Sequence, residues 1–353
     1  MNVEREQRDA MIDTLRRDTA LRPLDAAVDN ADPPLVHEDH ELRRIFLCCS
    51  PVLSRAAQIA LALNAAFGFT CAQIAAAFGS DEPTITHRVR SAKQRLRDER
   101  IQFEIPDGGA LPSHLAAVLD VLYIVFSEGY RATCDAAPDI GLCAATLRLV
   151  RLLTYARLTA VPDAFALRAL LCFHSARLPA RVGDDGSLLL ISEQDPARLD
   201  RALLAEAFWC RELARTGSGR SRFHLKAAIA ACHALGSMRG TTEWSRIVDL
   251  YELLRERAPT VAVDVNRALA IAMCSGARAG LDELDAIPER DVLMRHPYAL
   301  VTYADLHASL GNIDQARACL DRALAQQMVP AQRAMLRRKH AALATRVAVS
   351  GVD

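Results

Sequence analysis

The chain is 353 residues long, 51% hydrophobic and only 5% aromatic. That mix, rich in alanine and leucine, favours helices over strands, and the length allows two or three domains with a sizeable core. The 43 basic and 43 acidic residues give a formal net charge of zero, which excludes a blanket polyanion binder: DNA contact has to come from a local basic surface and to depend strongly on salt.

Taken in chain order, the first residues are charged and lack the apolar run of a secretory signal. The segment Leu24 to Pro34 (LDAAVDNADPP) reads as a linker from its Asp, Asn and Pro content. His37-Glu38-Asp39-His40 offers two histidines at i and i+3 but is not an H-E-x-x-H site, so no metal is expected there. From Asp39 to Arg100 the pattern is a compact helical module, and its last part is the most informative stretch of the chain.

Thr70 to Arg97 reads TCAQIAAAFGSDEPTITHRVRSAKQRLR. Thr70 and Gln73 form a capping box, and Cys71, Ile74, Ala75 and Phe78 make one apolar stripe. Gly79 suits the helix stop, Ser80 and Asp81 offer caps for a second helix, and Pro83 fits its first turn. The second helix runs from about Pro83 to Asp98, with Ile85, Val89, Ala92 and Leu96 on its inner side. His87, Arg90, Ser91 and Gln94 lie opposite, Thr84 and Arg88 flank them, and Thr86 and Lys93 complete the candidate DNA-binding set. Such side chains donate to base edges and phosphates in a major groove. Arg95, Arg97 and Arg100 extend the positive charge, with Glu82, Asp98 and Glu99 at the two ends. A short gap between two such helices is the pattern of a helix-turn-helix; a solvated amphipathic helix with ordinary surface arginines has the same pattern.

Pro106 to Gly109 marks a boundary. Beyond it, Leu115, Val118, Leu119, Leu122 and Val125 form one helical stripe, and Ile140 to Leu158 and Ala164 to Arg177 read as further helices. Ala180 to Ile191 (ARVGDDGSLLLI) is the one strand-like passage, with Asp185-Gly186 as a hairpin turn. After it come Glu193, Asp195, Arg198, Asp200, Arg201 and Glu206, a mixed-charge cluster read as a capped helix start with ion pairs rather than as catalytic carboxylates. From Trp244 the pattern is stacked helical hairpins. The clearest unit is Leu300 to Ala323: Ala304, Gly311, Ile313, Ala316, Leu320 and Ala323 fall where a tetratricopeptide repeat places small and apolar residues, and Gly311-Asn312 makes the turn. Asp249 to Met273 and Gly280 to Ile287 are weaker versions.

The ten cysteines (Cys48, Cys49, Cys71, Cys134, Cys143, Cys172, Cys210, Cys232, Cys274 and Cys319) include no C-x-x-C pair, so neither a zinc ribbon nor a thioredoxin-like site is indicated. They read as reduced, mostly buried thiols. No apolar stretch is read as long enough to span a bilayer. No glycine-rich phosphate loop is present, and His174 and His233 read as helix histidines rather than members of a catalytic set. The expectation is a cytoplasmic protein that is not an enzyme, with no catalytic, cofactor or metal site and no membrane partner.

The block from Asp39 to Phe103, DHELRRIFLCCSPVLSRAAQIALALNAAFGFTCAQIAAAF and the basic helix after it, resembles region four of the extracytoplasmic-function sigma factors of bacterial RNA polymerase. Four later segments resemble the subgroup with a long C-terminal extension: Leu122 to Tyr130 (LYIVFSEGY), Ile191 to Phe208 (ISEQDPARLDRALLAEAF), Leu225 to Ala234 (LKAAIAACHA) and Val263 to Met273 (VDVNRALAIAM). The resemblance implies a sigma factor in transcription initiation that binds the promoter −35 element and docks on the β flap of core RNA polymerase, its C-terminal helical extension regulating activity. The departure is at the start. Val3 to Arg22 looks like only the last helix of region two, which leaves no room for that domain: a truncated sigma factor, a mis-called start codon and a genuine remnant all fit, and if the chain is complete it is expected not to open promoters by itself.

The expected fold is all-α: a helix-turn-helix module without a wing, then a helical extension with one short β-hairpin and tetratricopeptide-like helical hairpins. The expected domains are 1–35 (remnant of region two and linker), 36–105 (region four), 106–210 (extension with hairpin) and 211–353 (helical repeats). The alternative function is a helical-repeat interaction regulator derived from a truncated sigma factor, with a peptide or protein ligand on the C-terminal stack.

Overall fold

The computed structural model describes residues 40–350 apart from 79, 131–137, 185–187, 217–219, 289 and 327–329. The remnant and linker at 1–35, His37 to Asp39, Gly79, Cys134 and the Asp185-Gly186 turn lie outside the described residues. The described chain is all-α. Sixteen α-helices and several 3-10 turns follow one another with no strand among the described residues. They divide into two compact units: residues 40–130, 138–176 and 200–216 form the first, and the described parts of 177–199 and 220–350 form the second.

The first unit begins with α1 (His40–Cys48), α2 (Arg55–Ala65), α3 (Cys71–Phe78) and α4 (Glu82–Asp98). Each is short and amphipathic, so none is stable except by burying its stripe on the others. Ile45, Phe46, Leu61, Leu63, Ile74, Ile85 and Val89 supply that interior. Buried Gln58 locks the turn between α1 and α2 by donating to the carbonyls of Cys49 and Ser50, both at 3.0 Å. Next come α5 (Leu111–Tyr130), α6 (Ile140–Tyr155), α7 (Pro162–Ala176) and α8 (Arg201–Leu213). α5 packs on α1, α2, α6 and α7, so the first four helices and the next four share one body. α6 and α7 occupy slightly different spans from those read in the sequence; Ala156, which caps α6, has extended backbone.

Contrary to the expectation that no stretch is long enough, the helix over Gly108–Tyr130 has the length and apolarity of a membrane span, with mean hydropathy 1.6 in its apolar window. Its Leu115, Val118, Leu119, Val121, Leu122, Val125 and Phe126 are buried, and an Asp120 carboxylate pairs with Arg55 of α2. A stripe committed to a protein core explains the high hydropathy.

The most buried charged side chain among the described residues of this unit is Arg168 of α7, 2% exposed. Its Nε donates to Glu206 of α8 at 2.8 Å and its Nη1 to the Thr154 hydroxyl at 2.8 Å. Its guanidinium lies 5.0 Å from the Tyr155 ring and 5.7 Å from the Trp209 ring. Arg151 joins from α6, its Nε 2.8 Å from Glu206. Burial alone would raise the Glu206 carboxyl, but the hydrogen bonds and charges of the two arginines outweigh it and hold the group below the usual carboxylate range.

The second unit contains α9 (Arg222–Arg239), α10 (Trp244–Arg257), α11 (Val261–Ser275), α12 (Ala277–Asp285), α13 (Arg290–Leu293), α14 (Pro297–Ser309), α15 (Ile313–Leu324) and α16 (Pro330–Ser350). α9 to α12 pack each on the next, as do α14 to α16, and α14 also meets α11 and α12. Ala304, Ala316, Leu320 and Ala323 are buried where α14 faces α15. The turn falls at Gly311, whose φ of 78° is the left-handed conformation glycine accepts. Gly280 fits a tighter place: an added Cβ would lie 2.5 Å from the Cβ of Ala272 and 3.0 Å from the Ala268 carbonyl oxygen.

The expected β-hairpin is not formed as a pair of strands. Val182 and Leu188 make one isolated antiparallel bridge, and the Leu189 N–H donates to the Arg181 carbonyl at 2.9 Å. 3-10 turns at Leu178–Ala180 and Ile191–Glu193 end the extended backbone on either side. Among the described residues no further strand adjoins this bridge, and so short a pairing does not extend into a ladder. The charged residues that follow do not form one cluster either. Glu193 accepts from the Leu190 N–H and pairs with Arg338, Asp195 and Asp200 cap the next turns, and Glu206 belongs to the Arg168 network. These are caps and ion pairs, as the sequence suggests.

Candidate nucleic-acid interface

α4 is positioned from both ends. The reciprocal capping box at the start of α3 is formed: the Thr70 N–H donates to Gln73 Oε1 at 2.9 Å, and the Gln73 N–H to the Thr70 hydroxyl at 3.2 Å. Of the predicted α3 stripe, Ile74 and Ala75 are buried, Cys71 is half-buried and Phe78 is exposed. A helix of eight residues turns only two full faces to its neighbours, and Phe78 at its end runs past them. Asp81 then caps α4 by accepting the Thr84 N–H at 2.8 Å and the Thr84 hydroxyl at 2.8 Å. Those two bonds hold the Asp81 carboxyl below the usual range.

The inner face of α4 is Ile85, Val89, Ala92 and Leu96, all buried, as the spacing predicts. It rests on α2 and α3. Lys93 ties it to the last turn of α2 by donating to Asn64 Oδ1 at 3.1 Å, while Asn64 Nδ2 donates to the Phe69 carbonyl of the following loop at 2.9 Å.

The eight candidate residues fall into two groups. His87, Arg90 and Ser91 are exposed and Arg88 is half-buried, and their side chains are not engaged by the rest of the helix. Thr84 is held by Asp81, Lys93 by Asn64, and Gln94 donates to Asp98 at 2.8 Å. Thr86 is half-buried on the flank.

The sequence reading placed Arg95, Arg97 and Arg100 outside the candidate set, yet they continue the same surface. All three are exposed, and Arg97 donates to Gln94 at 2.9 Å. Arg88, Arg90, Lys93, Arg95, Arg97 and Arg100 make no ion pair among the described residues, whereas Arg55, Arg148 and Arg151 of the same unit all pair with carboxylates. The charge run itself was the signal.

Just past the end of α4 stands Arg100, whose φ is 51°. The Arg100 N–H donates to the Arg97 carbonyl and the Ile101 N–H to the Leu96 carbonyl, each at 3.0 Å. That bond pair is the Schellman motif, which usually has glycine at this position. Three residues on, the Phe103 ring stacks on His40, with centroids 6.3 Å apart and planes at 23°.

No group of three or more His, Cys, Asp or Glu side chains among the described residues could hold a metal. Burial pushes the Cys48 and Cys210 thiols up to about 12 and those of Cys49 and Cys172 well above their ordinary value, which keeps them protonated and unreactive.

A sequence family described as a family of unknown function (DUF6596) matches residues 114–215. An uncharacterized protein of Rhizobium meliloti is 34% identical over 332 residues, covering 90% of this chain and 78% of the relative. No solved structure matches the chain.

Proposed function

The chain belongs to the family of that Rhizobium meliloti protein, and from this premise we propose that it is a cytoplasmic transcription-initiation factor whose residues 40–105 act as a helix-turn-helix of the sigma region-four kind. α4 enters the major groove of a −35 element. His87, Arg88, Arg90 and Ser91 face the bases, and Lys93, Arg95, Arg97 and Arg100 run along phosphates. The module docks on the β flap of core RNA polymerase, and the remaining helices regulate its activity.

One observation carries this reading: six cations on one short helix and its cap reach outward without a carboxylate partner among the described residues. In a chain of zero net charge, mutual repulsion at such a surface is a standing cost that a polyanion relieves.

Selection of a preferred site from a random duplex pool, followed by fluorescence anisotropy, tests it. Arg88→Ala and Arg90→Ala should each weaken binding to the selected site by about 1–3 kcal/mol if they reach bases. Full affinity in both variants would mean that another face binds. The alternative, an interaction regulator that holds a peptide or protein on its helical stack, draws support from the serial packing of α9 to α12 and of α14 to α16. It predicts no selected site.

A further inference from the structure

Just past the cationic row of α4 lies an aromatic feature that duplex binding leaves unused. Phe103 is 43% exposed. A single exposed ring is ordinary, but this one is held in place. On one side of it the Ile101 N–H donates to the Leu96 carbonyl at 3.0 Å, and on the other Ile105 is buried, 3% exposed. Gln102, Phe103 and Glu104 are therefore presented together as an exposed tip between two anchors. His40 meets the tip from the start of α1, a helix fixed by buried Leu42, Ile45 and Phe46. Its exposed ring backs Phe103, with centroids 6.3 Å apart and planes at 23°. A ring fixed before its ligand arrives spares part of the ordering cost of binding.

Position supplies the second half of the argument. Phe103 follows Arg100 within about 10 Å of chain, and exposed Arg95, Arg97 and Arg100 lead up to it. A basic track that ends at an aromatic ring is the arrangement that holds unpaired nucleotides: the cations follow the backbone and the ring takes the face of a base. Glu104, exposed beside the ring, repels phosphate, so a strand meets this tip with a base and not with its backbone. We infer that Phe103, backed by His40, is a stacking platform for a DNA base left unpaired next to the duplex that α4 holds. The inference rests on the reading of α4 as a DNA-binding helix, and the experiment below separates the two.

Fluorescence anisotropy of the full chain with fluorescein-labelled DNA tests it. The probes are a blunt duplex of mixed sequence, the same duplex with a tail of about four adenines, the same duplex with an abasic tail of equal length, and the adenine strand alone. Tails are placed on the 5′ and the 3′ end in turn. The abasic tail keeps the phosphates and removes the bases, so the ratio of the two tailed affinities reads stacking apart from charge. The adenine tail should bind about 10-fold more tightly than the abasic tail at one of the two ends. Raising the salt should weaken both and leave the ratio in place. Phe103→Leu should bring the ratio to unity, Phe103→Tyr should keep it, and His40→Ala, which leaves the ring unbacked, should lower it. A loss of folding lowers both affinities and does not imitate a change of ratio. Equal affinity for the two tails in the parent overturns the platform, while binding of the blunt duplex leaves the DNA reading standing. A ratio that survives Phe103→Leu places the stacking on another ring and overturns the assignment. Binding of the adenine strand that Phe103→Leu abolishes, with no binding of the blunt duplex, refutes the duplex reading and leaves the platform standing. No binding of any probe refutes both.

Discussion

Arg100→Gly separates the cap that Arg100 forms at the end of α4 from the phosphate contact proposed for its side chain. Arg100 sits at φ 51° as the left-handed residue of the cap, and a side chain there costs about 1–2 kcal/mol. Glycine removes that strain but adds freedom to the unfolded chain, worth about 0.4–1 kcal/mol in the opposite direction. The Arg100 side chain is exposed and makes no ion pair among the described residues, so its loss removes no contact. The net expectation is a gain of about 0.5–1 kcal/mol, or a rise in melting temperature of about 1–3 °C for a body of this size. The chain has two tryptophans: Trp209 lies in the first unit and Trp244 in the second. In a Trp244→Phe background, Trp209 fluorescence therefore reports the unit that holds α4. Arg100→Ala is the control, since it removes the charge and keeps the Cβ. If alanine stabilises as much as glycine, relief of charge repulsion and not backbone strain is responsible; if glycine lowers the melting temperature, the strain argument is wrong. Both variants should reduce the salt slope of DNA binding by about 0.9 if Arg100 meets a phosphate.

Glu206→Ala, which leaves the 2%-exposed Arg168 without its carboxylate, should cost about 3–5 kcal/mol in urea unfolding followed by Trp209 fluorescence, whereas Arg168→Met with Glu206→Leu should cost far less; a single-variant loss below about 1 kcal/mol would refute the network's role. Burial first, and then the Arg177 charge, lower the pKa of His233 from 6.5 to about 4. The unfolded chain takes up this proton between those values and the fold does not. About 3 kcal/mol of stability should therefore be fully present above pH 6.5 and lost as pH falls towards 4; His233→Phe should flatten that window, and an unchanged slope would locate the dependence elsewhere. Gly280→Ala, whose Cβ would meet the Ala272 Cβ at 2.5 Å, should destabilise the second unit by about 1–3 kcal/mol, while Gly109→Ala, which has open space within 4 Å, should not; equal melting curves for the two variants would dismiss the close helix approach.

Local patterns that depend on neighbours within one turn were legible in the chain. The Thr70–Gln73 box, the Asp81 cap, the buried face of α4 and the Gly311 turn follow from spacing and side-chain chemistry, because each is settled by residues no more than a few positions apart. The all-α class followed from composition for the same reason.

What needed the tertiary structure was every property set by residues far apart in the chain. The sequence marked Glu206 as one charge in a run; only packing of α6, α7 and α8 brought it to Arg151 and Arg168. Periodicity placed Phe78 in a stripe, but whether a neighbour covers the end of α3 is a question of packing, and among the described residues Phe78 is left 39% exposed. The passage 180–191 carries strand signals, yet a ladder requires partners, and a single bridge formed. The division of the chain is likewise discontinuous: 200–216 returns to the first unit after 177–199 has joined the second. Helix propensity and caps are local energies and can be read along the sequence, whereas burial, ion pairing and unit membership are decided by which surfaces meet.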